Sequence, residues 1–249
     1  MNIKKILVVG ILPIMWLAYF LFEVVTGRVN DITTVIGNIF LILLFALVGY
    51  LFYKYTLNNP NGFSSKTMFV LFLILMILDQ GIKIIIKLFF FNDYFALFNG
   101  FLSFNPIINT DGSWLNARFG TSVSFPLLIA LNIFALIIFL EIYRYSRFKG
   151  YKDTFGDLSF LFIICGALCS LIDKVFYGGS LDFIGISTLF IADIKDIYIN
   201  LGILFLIVCL YDNGFFKGED DTSLKDDIKM VKKFFAFIIS DIKNNLLKK

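Results

Sequence analysis

The chain has 249 residues, 59% of them hydrophobic and only 16% charged, with a mean hydropathy of +0.85; soluble domains run about 45–50% apolar and about 25% charged, so too little polar surface remains to coat a globule in water. The net charge of +3 is too small to argue for a nucleic-acid partner. Histidine is absent, which excludes His-based triads, HExxH zinc sites and His-ligated metals, and leaves any catalysis to carboxylates, Lys, Ser, Cys or Tyr.

Six apolar runs follow in chain order, at 6–25, 35–53, 68–91, 123–143, 158–172 and 197–210. Each is read as a membrane helix, which predicts an all-α integral membrane protein of about six spans. A signal peptide is the competing reading of the first run, but the run is long and no small-residue cleavage site follows it. Pro126 stands near the start of the fourth span, where proline is tolerated. Cys165, Cys169 and Cys209 lie inside apolar runs; they are expected to be small packing residues rather than metal ligands, and no metal or cofactor is predicted.

Basic residues set the expected orientation. Lys4 and Lys5 precede the first span, Lys54 and Lys66 flank the second connection, and Arg144, Arg147, Lys149 and Lys152 crowd the fourth. Lys217 and Lys225 follow the sixth span. All fall on one side if both termini are cytoplasmic. Segments 92–122 and 173–196 then face outward.

The tail from 222 to 249 is of another kind. Ser223 with Asp226 forms a capping-box pattern. Leu224, Ile228, Val231, Phe235, Ile238 and Ile242 recur at helical spacing, with Lys225, Lys229, Lys232, Lys233 and Lys243 supplying charge. This predicts a basic amphipathic helix lying on the inner membrane surface, the alternative being a helix packed on the cytoplasmic loops. The domain scheme is two N-terminal spans over 1–60, a four-helix core over 66–212 and the tail over 213–249.

Charges within spans are expensive, so they are usually paired or functional. Asp79 and Lys83 are four apart on one helix face and can pair. The stretch 169–202 holds Asp173, Asp182, Asp193 and Asp196. A re-entrant or interfacial loop is expected to bring Asp182 back to Asp196. Two carboxyls sharing a low-dielectric pocket cannot both ionise easily, so one keeps a proton while the other activates water. That is metal-free aspartic-protease chemistry. Ser170 and Lys174, four apart, offer a Ser–Lys dyad instead, and Asp79 with Lys83 offers an ion relay for a small transporter.

These residues resemble lipoprotein signal peptidase (signal peptidase II), bacterial enzymes that cut the signal peptide from lipid-modified prolipoproteins. The family's LDQxxK is matched by Leu78, Asp79, Gln80 and Lys83. Its GALGNLIDR is met by GALCSLIDK, from Gly166 to Lys174, and its VVDF by SLDF, with Asp182 as the aspartate. Its FNxAD, followed six residues on by glycine, is met by Ala192 to Asp196 with Gly202. The resemblance implies Asp182 and Asp196 as the catalytic pair. Asp193, which imitates the AD dipeptide, is the alternative second member. Asp79, Lys83, Asn109, Ser170, Asp173, Lys174 and Asp193 are implied to orient substrate or dyad.

Cys169 and Ser170 replace Gly-Asn, Lys174 replaces arginine, and Lys195 fills a small-residue position. The outer-loop NxGAAF is echoed loosely by the stretch from Asn109 to Ser113 and Trp114. A four-helix core with a small extracytoplasmic, possibly β, segment is implied, with no cofactor. The implied partners are a diacylglyceryl-modified prolipoprotein and membrane lipids, and the implied location is a bacterial cell membrane. A degenerate relative that binds lipoproteins without cutting is the non-enzymatic alternative.

Overall fold

The computed structural model describes residues 3–112, 114–121, 123–214 and 224–245. Ser113, Lys217, Thr222 and Ser223, and the side chains of Trp114, Leu224, Lys225 and Asp226, lie outside that description. Six helices are long and apolar enough to cross a membrane. These are α1 (Ile3–Val25), α2 (Ile32–Asn58), α3 (Ser65–Ile85), α5 (Phe125–Phe148), α6 (Thr154–Ile172) and α7 (Ile194–Asp212). A short α4 (Trp114–Phe119) lies between α3 and α5, and α8 (Leu224–Asn245) is the tail. Helices α3 and α6 each end in a π-helical turn, Ile86–Phe90 and Asp173–Tyr177. Asp31, Ser64, Asp153 and Asp193 cap the N-termini of α2, α3, α6 and α7 through their side chains.

Helices α6 and α7 form the centre of the bundle. They approach closely because two glycines leave room: a Cβ on Gly166 would lie 2.7 Å from Ile199 Cγ1, and one on Gly202 would press into Ile163. Phe155, Leu158, Leu204, Phe205 and Val208 pack there with Val8 and Leu12 of α1 and Tyr53 of α2. The N-terminal hairpin α1–α2 is therefore part of the bundle, packed on α7. By contrast, α5 buries little besides Glu141 and turns an apolar surface outward.

At one end of the bundle the chain builds an antiparallel sheet in the order β1-β2-β3-β4. Its strands are β1 (Phe95–Leu97), β2 (Leu102–Asn109), β3 (Ser180–Ile186) and β4 (Phe190–Ala192). The possible β segment is thus a four-stranded sheet, and Asp182, expected on a re-entrant loop, sits instead in its third strand. The ladder requires β2 as a partner from a distant part of the chain, which local pattern does not reveal.

The start of α1 and the end of α7 meet at the opposite end, where Lys4 pairs with Asp212 and α8 docks on the end of α5. Phe234 and Phe237 meet the Tyr145 ring at steep angles, centroids 5.4 and 5.2 Å away, and Arg144 pairs with Asp241 at 2.7 Å. The tail thus packs on a helix end, while Ile228, Val231, Phe235, Ile239 and Ile242 stay exposed.

Candidate active site

Strand alternation builds one wall of the site. Ser180 and Asp182 share a face of β3, and Leu181 and Phe183 of the other face pack into the apolar core. The β2–β3 ladder pairs Phe104 with Ile184 but Ile107 with Asp182, so two residues of β2 are set against one of β3 between those pairs. Pro106, which cannot donate to a ladder, falls in this bulge. The one-residue slip brings Asn109 opposite Ser180, on the face of Asp182. Asn109 Nδ2 then donates to Asp182 Oδ2 at 2.8 Å.

Helices supply the other walls. On α3, Lys83 Nζ binds Asp79 at 2.9 Å, as the i,i+4 spacing predicts, and reaches Asp173 at 2.7 Å and Asp193 at 2.6 Å. Gln80 bridges Asp79 and Asp173 at 2.9 and 3.2 Å. Asp79, Lys83, Asp173, Asp182 and Asp193 are all buried. Burial would raise the Asp193 carboxyl, but Lys195 and Lys83 outweigh it and hold the group below the usual carboxylate range.

The first turn of α7 closes the site. Asp193 and Asp196 form a capping box: Asp193 N donates to Asp196 Oδ2 at 3.1 Å, and Asp196 N to Asp193 Oδ1 at 3.3 Å. Between them in sequence, Lys195 turns inward, bonds Asp193 and Ser180, and stands 3.4 Å from Asp173 and 3.7 Å from Asp182. Asp182 Oδ1 is buried and lacks a hydrogen-bond partner among the described residues. Burial pushes the Asp182 carboxyl above its ordinary range, against the pull of Lys195.

Asp79, Lys83, Asn109, Asp173, Asp182, Asp193 and Asp196 therefore gather at the sheet end. Ser170 and Lys174 bond each other, Lys174 Nζ to Ser170 Oγ at 2.6 Å. Sequence reasoning missed Ser180 and Lys195 as site residues. The signals were present: Ser180 is two residues before Asp182 on a strand, and Lys195 stands between two acids. Cys165 and Cys169 are buried against α3, at Phe72 O and Met76 Sδ.

A buried cluster of carboxyls and ammonium groups under a sheet, at one end of six membrane-length helices, fits a membrane peptidase of the aspartic kind. The family model for signal peptidase (SPase) II matches residues 71–211, and the chain belongs to that family. It is a bacterial membrane enzyme that removes signal peptides from lipoprotein precursors. It is similar to a protein named lipoprotein signal peptidase from Microcystis aeruginosa (strain NIES-843 / IAM M-2473). The two are 26% identical over 140 residues, 55% of this chain and 86% of the relative. Two solved structures titled as bacterial membrane enzymes also resemble it, each with a TM-score of 0.49. They are 22% and 23% identical, and the likeness covers 66% and 60% of this chain and 99% and 96% of theirs.

Proposed function

We propose that Asp182 and Asp196 are the catalytic pair and that they cut the bond before a diacylglyceryl-modified cysteine. The observation that carries this reading is the Asp182 carboxyl: buried, raised by that burial, and with an Oδ1 that accepts no hydrogen bond, Lys195 standing 3.7 Å away. Buried polar atoms are nearly always satisfied, so a carboxyl oxygen without a hydrogen bond at such a point suits a substrate or water ligand. Asp193 suits the chemistry poorly. Its oxygens already serve Lys83, Lys195, Ser180 and the backbone of Asp196, which favours a fixed anion. The cap engages only Oδ2 of Asp196, leaving Oδ1 outside it.

In this mechanism the ionised member of the pair takes a proton from water as the oxygen attacks the scissile carbonyl carbon, while the protonated member donates to the carbonyl oxygen. On collapse of the gem-diol, the proton taken from water passes to the leaving nitrogen and the other carboxyl recovers its own. Asp193, with Lys83, Lys195, Asp79 and Asp173, holds the first turn of α7 in place.

An apolar groove of about 370 Å³ supports the lipid part of the substrate. Ile82, Ile85, Ile86, Phe90, Phe95, Phe104 and Phe183 line it, on the face of β3 opposite Asp182. The basic residues of the terminal end support an outward-facing site with both termini cytoplasmic. The domain scheme keeps α1–α2 as an addition to the four-helix core of α3, α5, α6 and α7.

The test is cleavage of a diacylglyceryl-modified prolipoprotein by the full chain in detergent. Asp182→Asn and Asp196→Asn are each expected to lose about a thousandfold or more in kcat, and Asp193→Asn to keep measurable turnover. An inactive Asp193→Asn beside an active Asp196→Asn would move the second catalytic role to Asp193.

A further inference from the structure

The α1–α2 hairpin packs on the active-site sheet through Leu41 and Trp16, against Phe101, Ile186 and Phe190, and makes its polar contacts at the turn between β3 and β4. The turn is Ser187-Thr188-Leu189, and it ends four residues before Asp193. Ser187 is a non-glycine residue with φ of +49°, a conformation that costs roughly 1–3 kcal/mol unless its surroundings impose it.

The surroundings are specific. Arg28, in the α1–α2 connection, donates through one guanidinium nitrogen to the carbonyl oxygens of Thr188 and Leu189, both at 2.8 Å. Its other nitrogen meets Glu23 at 3.2 Å. Thr34 Oγ1, at the start of α2, lies 2.6 Å from Ser187 Oγ. Ser187 N donates to Phe101 O at 2.7 Å. The rings of Trp16 and Tyr19 pack on Phe190, the first residue of β4, at 5.9 and 5.3 Å.

Glu23 joins a second element to this clamp. It is fully buried in the last turn of α1. Arg118 of α4 approaches it at 3.5 Å, donates to Thr26 Oγ1 at 3.0 Å, and lies 5.1 Å from the ring centre of Phe22. One carboxylate thus ties the connection that grips the β3–β4 turn to the helix that follows β2. An exposed ion pair contributes little, but here the carboxylate is buried and the two guanidinium nitrogens span it and the two backbone carbonyls, which fixes geometry.

We propose that the N-terminal hairpin is a positioning device for the peptidase, with Arg28 as its positioning residue. By gripping the β3–β4 turn, Arg28 sets the spacing between Asp182 on β3 and the α7 start that carries Asp193 and Asp196. The proposal rests on those aspartates carrying the chemistry. Arg28 touches no reacting atom. Its loss lets the turn relax and displaces one side of the site from the other, a loss of kcat rather than of substrate binding.

The test uses the full chain in detergent with a lipid-modified prolipoprotein substrate. Arg28→Lys keeps a cation but has one nitrogen in place of the two that hold Glu23 and the turn at once. Its kcat is expected to fall about ten- to a hundredfold, as misplacement of catalytic groups by about 1 Å does, with KM held within about twofold. Thr34→Cys with Ser187→Cys then supplies a covalent replacement at a pair of side chains that already touch, Oγ1 to Oγ at 2.6 Å. In the triple variant, oxidation is expected to restore most of the lost kcat, and reduction of the same sample to remove it. The native cysteines lie within α6 and α7, away from this turn.

Wild-type kcat in Arg28→Lys overturns the proposal. So does a rise in KM alone, or a deficit that oxidation leaves unchanged. Asp182→Asn is assayed alongside: if it is active, the catalytic assignment has failed, whereas an inactive Asp182→Asn beside an unaffected Arg28→Lys rejects the clamp alone.

Discussion

Two buried aspartates at opposite ends of the molecule separate what holds this fold from what it does. Asp157, at the terminal end of α6, and Asp182, in the sheet, are 1% and 3% exposed. Asp157 is saturated. Phe63 N donates to it at 2.6 Å, Tyr143 Oη at 2.7 Å and Arg147 at 3.4 Å, so one carboxylate joins the α2–α3 connection to α5 and α6. Asp182 accepts one firm hydrogen bond, from Asn109, and its Oδ1 accepts none, with Lys195 3.7 Å away. Burial is equal; satisfaction is not. The saturated carboxylate stabilises the native bundle, whereas the unsatisfied one has a capacity left for substrate.

Exchanging each acid for its amide breaks this comparison most sharply. Asp182→Asn is expected to abolish cleavage without lowering the apparent Tm, read from intrinsic fluorescence in detergent. The sign follows from the raised carboxyl of Asp182. In the fold it resists ionising, so it costs nothing below the usual carboxylate range, and a destabilising contribution grows as pH rises through the folded pKa. The amide removes that contribution. Its Tm therefore matches wild type in acid and equals or exceeds it at neutral pH. Asp157→Asn does the reverse: it loses about 1–3 kcal/mol of stability and keeps wild-type kcat per folded molecule.

A second substitution probes the buried charges directly. Asp79, Asp173, Asp193, Asp182 and Asp196 face Lys83 and Lys195 in one cluster. Removing one partner of such a network costs about 3–5 kcal/mol. Lys83→Met is therefore expected to lower both Tm and turnover, and a charge-reversed or neutralised partner at Asp79 to recover Tm before turnover.

The smallest effect belongs to the Ser170–Lys174 pair. Its hydrogen bond is made, but the proposed mechanism runs through Asp182 and Asp196, so Ser170→Ala is expected to change kcat by no more than about threefold, near the worth of one ordinary hydrogen bond. Complete loss in that variant would promote the Ser–Lys dyad over the aspartates.

The sequence alone determined the parts of the molecule that depend on local chemistry. Six apolar runs specified six spans because each is long enough to cross a bilayer and satisfies its backbone internally. Asp79 and Lys83 were legible as a pair because four residues is one helical turn, and the site aspartates because they break apolar surroundings.

Tertiary structure decided the rest. The sheet arises from strands of three to eight residues, and its central ladder joins Asn109 to Ser180 across the chain. The bulge at Pro106 selects which face of β2 meets Asp182, and no local periodicity encodes that choice. Lys83 finds Asp173 and Asp193 only because α3 packs on α6, and Lys195 enters the site only because the cap of α7 turns it inward. Arg28 grips the β3–β4 turn although some 160 residues separate them. Such contacts depend on which helices become neighbours, a property of the packed bundle and not of any one segment.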